Sequence, residues 1–217
     1  MMKQFIFVLG LTIILSKVTC GQNVQSFFFD EFAISANRSV NPGKAAEGLY
    51  GIGLGVYHSF RSDKKLNIIT GIEYNRTSQF FESMYEGHFA HATDLIYTIN
   101  CFSIPAGLRI NFGTNLKVFI ETGAFADLVF DSNRTGTMIT YLPDDNNQMT
   151  YTEKEIDQKV KLSDSFGFYL GLGIRIPVSI IELIVKPDYK FGINELYSYQ
   201  EAIFSRYFRL NIGLKIK

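Results

Sequence analysis

Tryptophan is absent from this chain, cysteine occurs twice, proline five times, and 21 lysines and arginines only balance 21 aspartates and glutamates. Each scarcity rules something out. A chain without a basic excess lacks the electrostatic footprint that nucleic acid requires. Two thiols, Cys20 and Cys101, are too few for a disulfide framework or a cysteine zinc cluster. No stretch after residue 21 reaches 18 consecutive apolar residues, so no segment there reads as a transmembrane helix. What the chain has instead is glycine, 18 residues of it, and aromatic side chains, 20 Phe and 12 Tyr.

Residues 1–21 read as a secretory signal peptide. Lys3 supplies the positive start and Phe5 to Ser16 an apolar run too short to cross a bilayer. Thr19-Cys20-Gly21 then offers small residues for cleavage, with Gln22 as the new N-terminus. Cys20 also invites a lipoprotein reading, but Lys17-Val18-Thr19 before it suits lipoprotein processing poorly. Removal of the leader takes away Lys3 and Lys17 and no acid, so 19 basic residues face 21 acidic ones. It also leaves Cys101 as the single thiol, which cannot form an internal disulfide. Residues 22–217 suit one domain placed beyond the inner membrane.

The informative regularity is where glycine and charge fall. Over 48–57 one parity reads Tyr50, Ile52, Leu54, Val56 and the other Gly51, Gly53, Gly55, Tyr57. Phe166, Phe168, Leu170, Leu172, Ile174 and Ile176 likewise oppose Gly167, Tyr169, Gly171, Gly173 and Arg175. Phe208, Leu210, Ile212, Leu214 and Ile216 oppose Arg209, Asn211, Gly213, Lys215 and Lys217. A soluble sheet turns its apolar face inward and does not pave its polar face with glycine. An apolar outside around a small, polar and charged inside is what lipid selects. The outward parity of 101–112, 116–130 and 181–191 is likewise free of charge. That freedom is significant because a Lys or Arg facing lipid at mid-depth costs about 2–4 kcal/mol.

Eight segments carry this pattern: 27–37, 48–60, 66–77, 97–112, 115–130, 165–176, 180–192 and 205–217. Tight turns at Arg61–Lys65, Gly113-Thr114 and Pro177–Ser179 alternate with long polar loops at 38–47, 78–96, 131–164 and 193–204. The layout predicts an all-β fold, an eight-stranded antiparallel up-and-down transmembrane β-barrel. Its short turns and both termini lie on the periplasmic side of the cell outer membrane. Tyr50, Tyr74, Phe130, Phe166, Tyr189, Phe191 and Phe208 fall towards the long-loop end, and Phe60 and Phe112 towards the other, as two interfacial girdles. Pro105 and Pro187 each remove a ladder donor mid-strand and read as bulges or local breaks in pairing. Phe27-Phe28-Phe29-Asp30-Glu31 does not alternate cleanly, which leaves the first strand the least defined.

Around Phe102-Ser103-Ile104-Pro105-Ala106-Gly107-Leu108-Arg109 the chain resembles the PorT-like outer-membrane β-barrel proteins of Bacteroidota. The resemblance extends to the layout of leader, eight strands, tight turns and a Gly-containing last strand. It implies contact with outer-membrane lipid and delivery by the barrel-insertion machinery. The family's name comes from a protein tied to secretion and gliding, a role the resemblance does not by itself transfer. Asn211-Ile212-Gly213-Leu214-Lys215-Ile216 follows the usual closing strand, but Lys217 stands where such barrels carry an aromatic or apolar residue.

The interior of an eight-stranded barrel is just wide enough for side chains to fill. Here it would hold Glu73, Glu121, Asp127, Glu182 and Asp188 against Arg109, Lys117, Arg175, Lys186, Lys190, Arg209 and Lys215. Unpaired burial is expensive, so these charges are expected to pair and plug the lumen, with the inward glycines making room for them. A narrow ion or proton path is the functional rival. Gly51-x-Gly53-x-Gly55 is no nucleotide loop, because strand continues where a helix should begin.

Catalysis finds little footing. Ser83, His88 and Asp94 can be drawn as a triad, and Glu86, His88 and His91 as metal ligands, but all lie in one polar loop without preorganisation. His58 sits on the lipid-facing parity. The reading is therefore a monomeric, non-enzymatic barrel without cofactor or metal, acting in structure, assembly or surface contact. The candidate site for a protein partner is loop 131–164, where Tyr141, Leu142 and Tyr151 interleave with Asp144, Asp145, Glu153, Glu155 and Asp157, the plain alternative being a disordered or hairpin-extended surface loop. Two rivals remain. A periplasmic lipocalin-like ligand-binding barrel would need the two faces reversed, and an outer-membrane lipid-modifying enzyme would need Ser83 or His88.

Overall fold

The structure, a computed structural model, describes residues 29–40, 46–60, 64–113, 116–144, 146, 148–199 and 201–216. The leader, the start of the first expected strand and Asp145 lie outside the described residues. Nine strands follow one another: β1 (Glu31–Ser39), β2 (Ala46–Phe60), β3 (Leu66–Tyr85), β4 (Ala90–Phe112), β5 (Lys117–Pro143), β6 (Met149–Lys159), β7 (Ser165–Val178), β8 (Ile181–Tyr199) and β9 (Glu201–Ile216). All pairings are antiparallel.

Eight strands close a ring. β1 pairs with β2 on one side and β9 on the other, with Ala33 opposite both Gly55 and Gly213. The order continues through β3, β4, β5, β7 and β8 back to β9. β6 stands outside the ring, paired with Asn133–Pro143 of β5, whereas β7 pairs lower on the same strand, over Lys117–Asp127. Closure leaves no free edge at membrane depth, which hydrocarbon demands because it cannot hydrogen-bond to a bare backbone. Gly113, at φ +85°, turns the chain from β4 into β5 with a backbone that side-chain-bearing residues avoid.

The two prolines break pairing without shifting register. β3 and β4 hold one register from Thr70↔Ala106 to Glu73↔Ser103, and only the pairs around Pro105 are missing. The Thr70 hydroxyl donates instead to the Pro105 carbonyl at 2.9 Å. Pro187 does the same between Gly171↔Asp188 and Ile174↔Val185. Each proline stays paired on its other side, with Phe125 and Leu210 respectively.

The faces separate as the alternation requires. Ile34 and Ile52 are 61% exposed and Leu170 57%, while Arg109 and Lys190 are fully buried. A continuous belt of exposed isoleucine, leucine and phenylalanine suits hydrocarbon and not water, so the barrel spans a membrane. Tyr74, Phe102 and Phe130 cluster on the outer rim of that belt, with Phe102 stacked on Phe130 at 4.8 Å.

The long polar loops are where expectation fails. Segments 78–96, 131–164 and 193–204 are mostly strand: β3, β4, β5 and β8 run on past the belt, and the β3–β4 connection shrinks to Glu86–Phe89. The extensions build a second storey with its own apolar core of Phe81, Met84, Ala92, Leu95, Tyr97, Ile99, Ile156, Leu162, Leu196 and Ile203. The physical reason is solvent. Once a strand leaves lipid, its outward face meets water and its inward face becomes the apolar one. β1 also departs from expectation, starting at Glu31 with that carboxylate buried inside.

Candidate functional site

Alternation places the charged side chains of β3, β4, β5, β7, β8 and β9 in one lumen, where they join end to end. Arg109 donates through Nη1 and Nη2 to Glu31 at 2.7 and 3.0 Å and through Nε to Glu121 at 2.7 Å. Lys186 donates to Glu121 at 2.8 Å and stands 3.5 Å from Asp188. Asp188 accepts from Nε and Nη2 of Arg209, both at 2.9 Å, and Arg209 Nη1 donates to Glu73 at 2.6 Å. Glu73 also accepts from Lys190 at 2.6 Å and from the Tyr57 hydroxyl at 2.8 Å. Lys190 is 3.8 Å from Asp127, which accepts from Ser205 at 2.5 Å. Charges of alternating sign therefore run from Glu31 to Asp127 without a gap. Towards the short turns Lys117 and Arg175 share Glu182 at 3.2 and 3.4 Å, and Lys215 meets Asp30 at 2.6 Å.

Every charged residue assigned to the lumen from the sequence lies in this array. Asp30 and Glu31 were missed. With them, seven cations (Arg109, Lys117, Arg175, Lys186, Lys190, Arg209, Lys215) face seven anions (Asp30, Glu31, Glu73, Glu121, Asp127, Glu182, Asp188). The only signal for the missing pair was the surplus of two cations.

Aromatic rings fill the rest of the lumen. Arg109 lies 4.4 Å from the Phe119 ring centroid, Lys190 4.7 Å from Phe125, and Lys186 5.5 Å from Tyr57. The inward glycines make room for rings as well as for charges, with Gly171 facing Asp188 and Lys186. Gly173 lies against the Cζ end of the Phe119 ring, and Gly107 against the hydroxyl end of Tyr169, where a Cβ would collide. Above the charges, the second-storey core closes the mouth. Phe81 meets Tyr97 edge-on at 5.5 Å, and the Tyr97 hydroxyl points to Met84 Sδ at 3.7 Å.

The segment 131–164 is the β5–β6 hairpin and its return. Tyr141, Leu142 and Tyr151 are exposed on it, with His91 stacked on Tyr141 at 5.5 Å and Tyr151 6.4 Å away. Asp144 has a local task. Its Oδ1 accepts from the backbone N–H of Asn146 and Gln148 at 2.9 and 2.8 Å and so pins the turn. At the hairpin's base Lys159 pairs with Asp131, and that contact holds the Asp131 carboxyl below its ordinary value. Ser83, His88 and Asp94 are all exposed, Glu86 is paired with Arg134, and no group of three metal-binding side chains forms among the described residues.

No protein-family model matches the chain, and no curated protein matches it. Among solved structures it is similar to Neisserial surface protein A, with 13% identity and a TM-score of 0.48, covering 87% of this chain and 96% of that one. Ail, the attachment invasion locus protein of Yersinia pestis, solved with the heparin analogue sucrose octasulfate, gives 11% and 0.41 over 87% and 99%. OprG of Pseudomonas aeruginosa gives 13% and 0.44 over 89% and 96%.

Proposed function

We propose that this protein is a monomeric, non-enzymatic outer-membrane barrel that holds a closed lumen and presents its extracellular β-sheet to a protein partner. The observation that carries the reading is the sealing of the interior. A balanced charge array fills the membrane storey and an apolar core fills the mouth, so contact chemistry is left to the exposed surface. On that surface the β5–β6 hairpin offers Tyr141 and Tyr151 beside Glu153, Glu155 and Asp157, a pairing of aromatic anchors with charge that suits protein recognition. The resemblance of Phe102–Arg109 to PorT-like barrels supports the outer-membrane setting. A lipocalin-like ligand carrier is disfavoured because the interior is charged and the exterior apolar.

The test is to trim the hairpin tip, residues 139–153, to a two-residue turn. This keeps Ile156 in the apolar core, which a cut of 135–160 would remove. The trimmed protein is expected to insert into outer membranes and keep a heat-dependent gel mobility, while cells bearing it lose partner-dependent surface association. Association undiminished by the trimming would refute the assignment.

A further inference from the structure

We infer that the lipid-facing surface over β1, β8 and β9 binds the phosphate-bearing headgroup of an anionic lipid in the extracellular leaflet, an inference that rests on the membrane placement proposed above. Arg38 and Arg206, like Arg76 on β3, stand on the outward parity, where the belt below them carries no charge. Arg38 continues the row Phe32, Ile34, Ala36 on β1 and lies opposite Phe208 of β9. Arg206 is two residues further along β9, on the same parity as Phe208, and its carbonyl accepts from Val40 N–H at 2.8 Å. Arg38 and Arg206 are thus diagonal neighbours on one face of adjacent strands. Such backbones lie about 7–8 Å apart, within reach of a single phosphate for two long guanidinium side chains.

Both arginines rest on aromatic rings of the outer rim. Arg206 lies 4.2 and 4.1 Å from the centroids of Phe191 and Phe204, and Arg38 5.5 Å from Tyr50. Stacking and single backbone bonds hold them, Arg38 Nε donating to Gly48 O at 3.2 Å and Arg206 Nε to Gly192 O at 3.0 Å. The terminal nitrogens of Arg206 meet no carboxylate among the described residues. Arg38 has Glu47 at 3.7 Å, but both side chains are more than half exposed, so solvent and salt screen that pair. The Arg206 guanidinium therefore stands at the depth where headgroups lie without an ion pair among the described residues.

Beneath the arginines runs an apolar groove of about 590 Å³, lined among others by Ala36, Tyr50, Leu170, Pro187, Tyr189 and Leu210. Ala36 and Pro187 are the short side chains in rows otherwise made of leucine, isoleucine and rings, and they leave the depression that an acyl chain fills. Chain below and phosphate above is the geometry of a lipid, and guanidinium groups suit a phosphate because they can donate two parallel bonds to it.

The experiment is native mass spectrometry of the detergent-solubilised full-length protein with equimolar phosphatidylglycerol and phosphatidylcholine of matched chains. We expect the anionic lipid to be retained preferentially. Arg38→Gln and Arg206→Gln should each cut the preference about fivefold and the double variant abolish it. Arg76→Gln, also exposed but outside the groove, should leave it intact. Equal retention of the two lipids, or a double variant that keeps the preference, overturns the proposal. Inorganic phosphate that displaces the lipid and stays on the lipid-free protein would assign the arginines to a free anion instead. Each protein is checked for heat-dependent gel mobility. If a Gln variant lacks the shift, the Lys variants are read in its place, and they must keep part of the preference. Wild type without the shift would sink the membrane placement itself.

Discussion

A single side chain, Arg109, shows why the lumen is built as it is. It is fully buried and its guanidinium is shared between Glu31 and Glu121. Removing one member of a buried pair leaves the other charged and unsolvated, at about 3–5 kcal/mol. Arg109→Leu strands Glu31 and leaves Glu121 to Lys186 alone, and should lower the unfolding free energy in urea by about that range, while Glu31→Gln should cost less. Equal, small losses from both would mean that water enters the lumen freely. Gly173 makes the complementary point through shape. A Cβ there would run into Phe119, so Gly173→Val should destabilise by about 1–3 kcal/mol in the same assay, and the double variant with Phe119→Ala should lose less than the two single losses added together. Glu31 was illegible in the sequence because three phenylalanines precede Asp30-Glu31 and hide the parity. Charge balance was legible, and it called for the two anions that local pattern did not reveal.

At the scale of elements, alternation was readable only as far as lipid gave it one meaning. Over 101–112, 116–130 and 205–216 the inward and outward sets are the ones the sequence indicates. Beyond the rim the same period continues with polarity exchanged, Leu95, Tyr97 and Ile99 pointing in, and register shifts at Thr93/Ile96 and Asn100/Cys101 blur it further. Polar composition there looked like loop and is strand. The hairpin that results is tied at its base by Asp131 and Lys159, and this gives it a pH response. Because pairing lowers the folded-state value of Asp131, its stabilisation is in place above the ordinary aspartate range and is lost as pH falls through the folded value. Amide exchange in Thr152–Gln158 should therefore accelerate, relative to the barrel strands, at acidic pH and not at neutral pH. Asp131→Asn should speed that exchange already at neutral pH. A hairpin whose protection ignores both changes is held by its backbone ladder and Ile156 alone.

At the scale of the whole molecule the two storeys act in series. The membrane storey is blocked by paired charges and ring faces, the storey beyond the belt by an apolar core, and any ion crossing the barrel must disrupt both. This separates two accounts of the charges, a plug and a path. If they form a plug, the wild-type protein in a planar bilayer passes no current steps. Opening the mouth alone, with Leu95→Asp and Ile203→Asp, should leave it silent even as those substitutions bury two unpaired carboxylates and lower stability. If the charges form a path, the mouth variant should begin to conduct, and its current should fall when Lys190 or Glu73 is neutralised. The geometry favours the plug, because each lumen carboxylate already stands beside an ammonium or guanidinium that a moving cation would have to displace. A conducting mouth variant would turn the apolar storey from a second core into a gate.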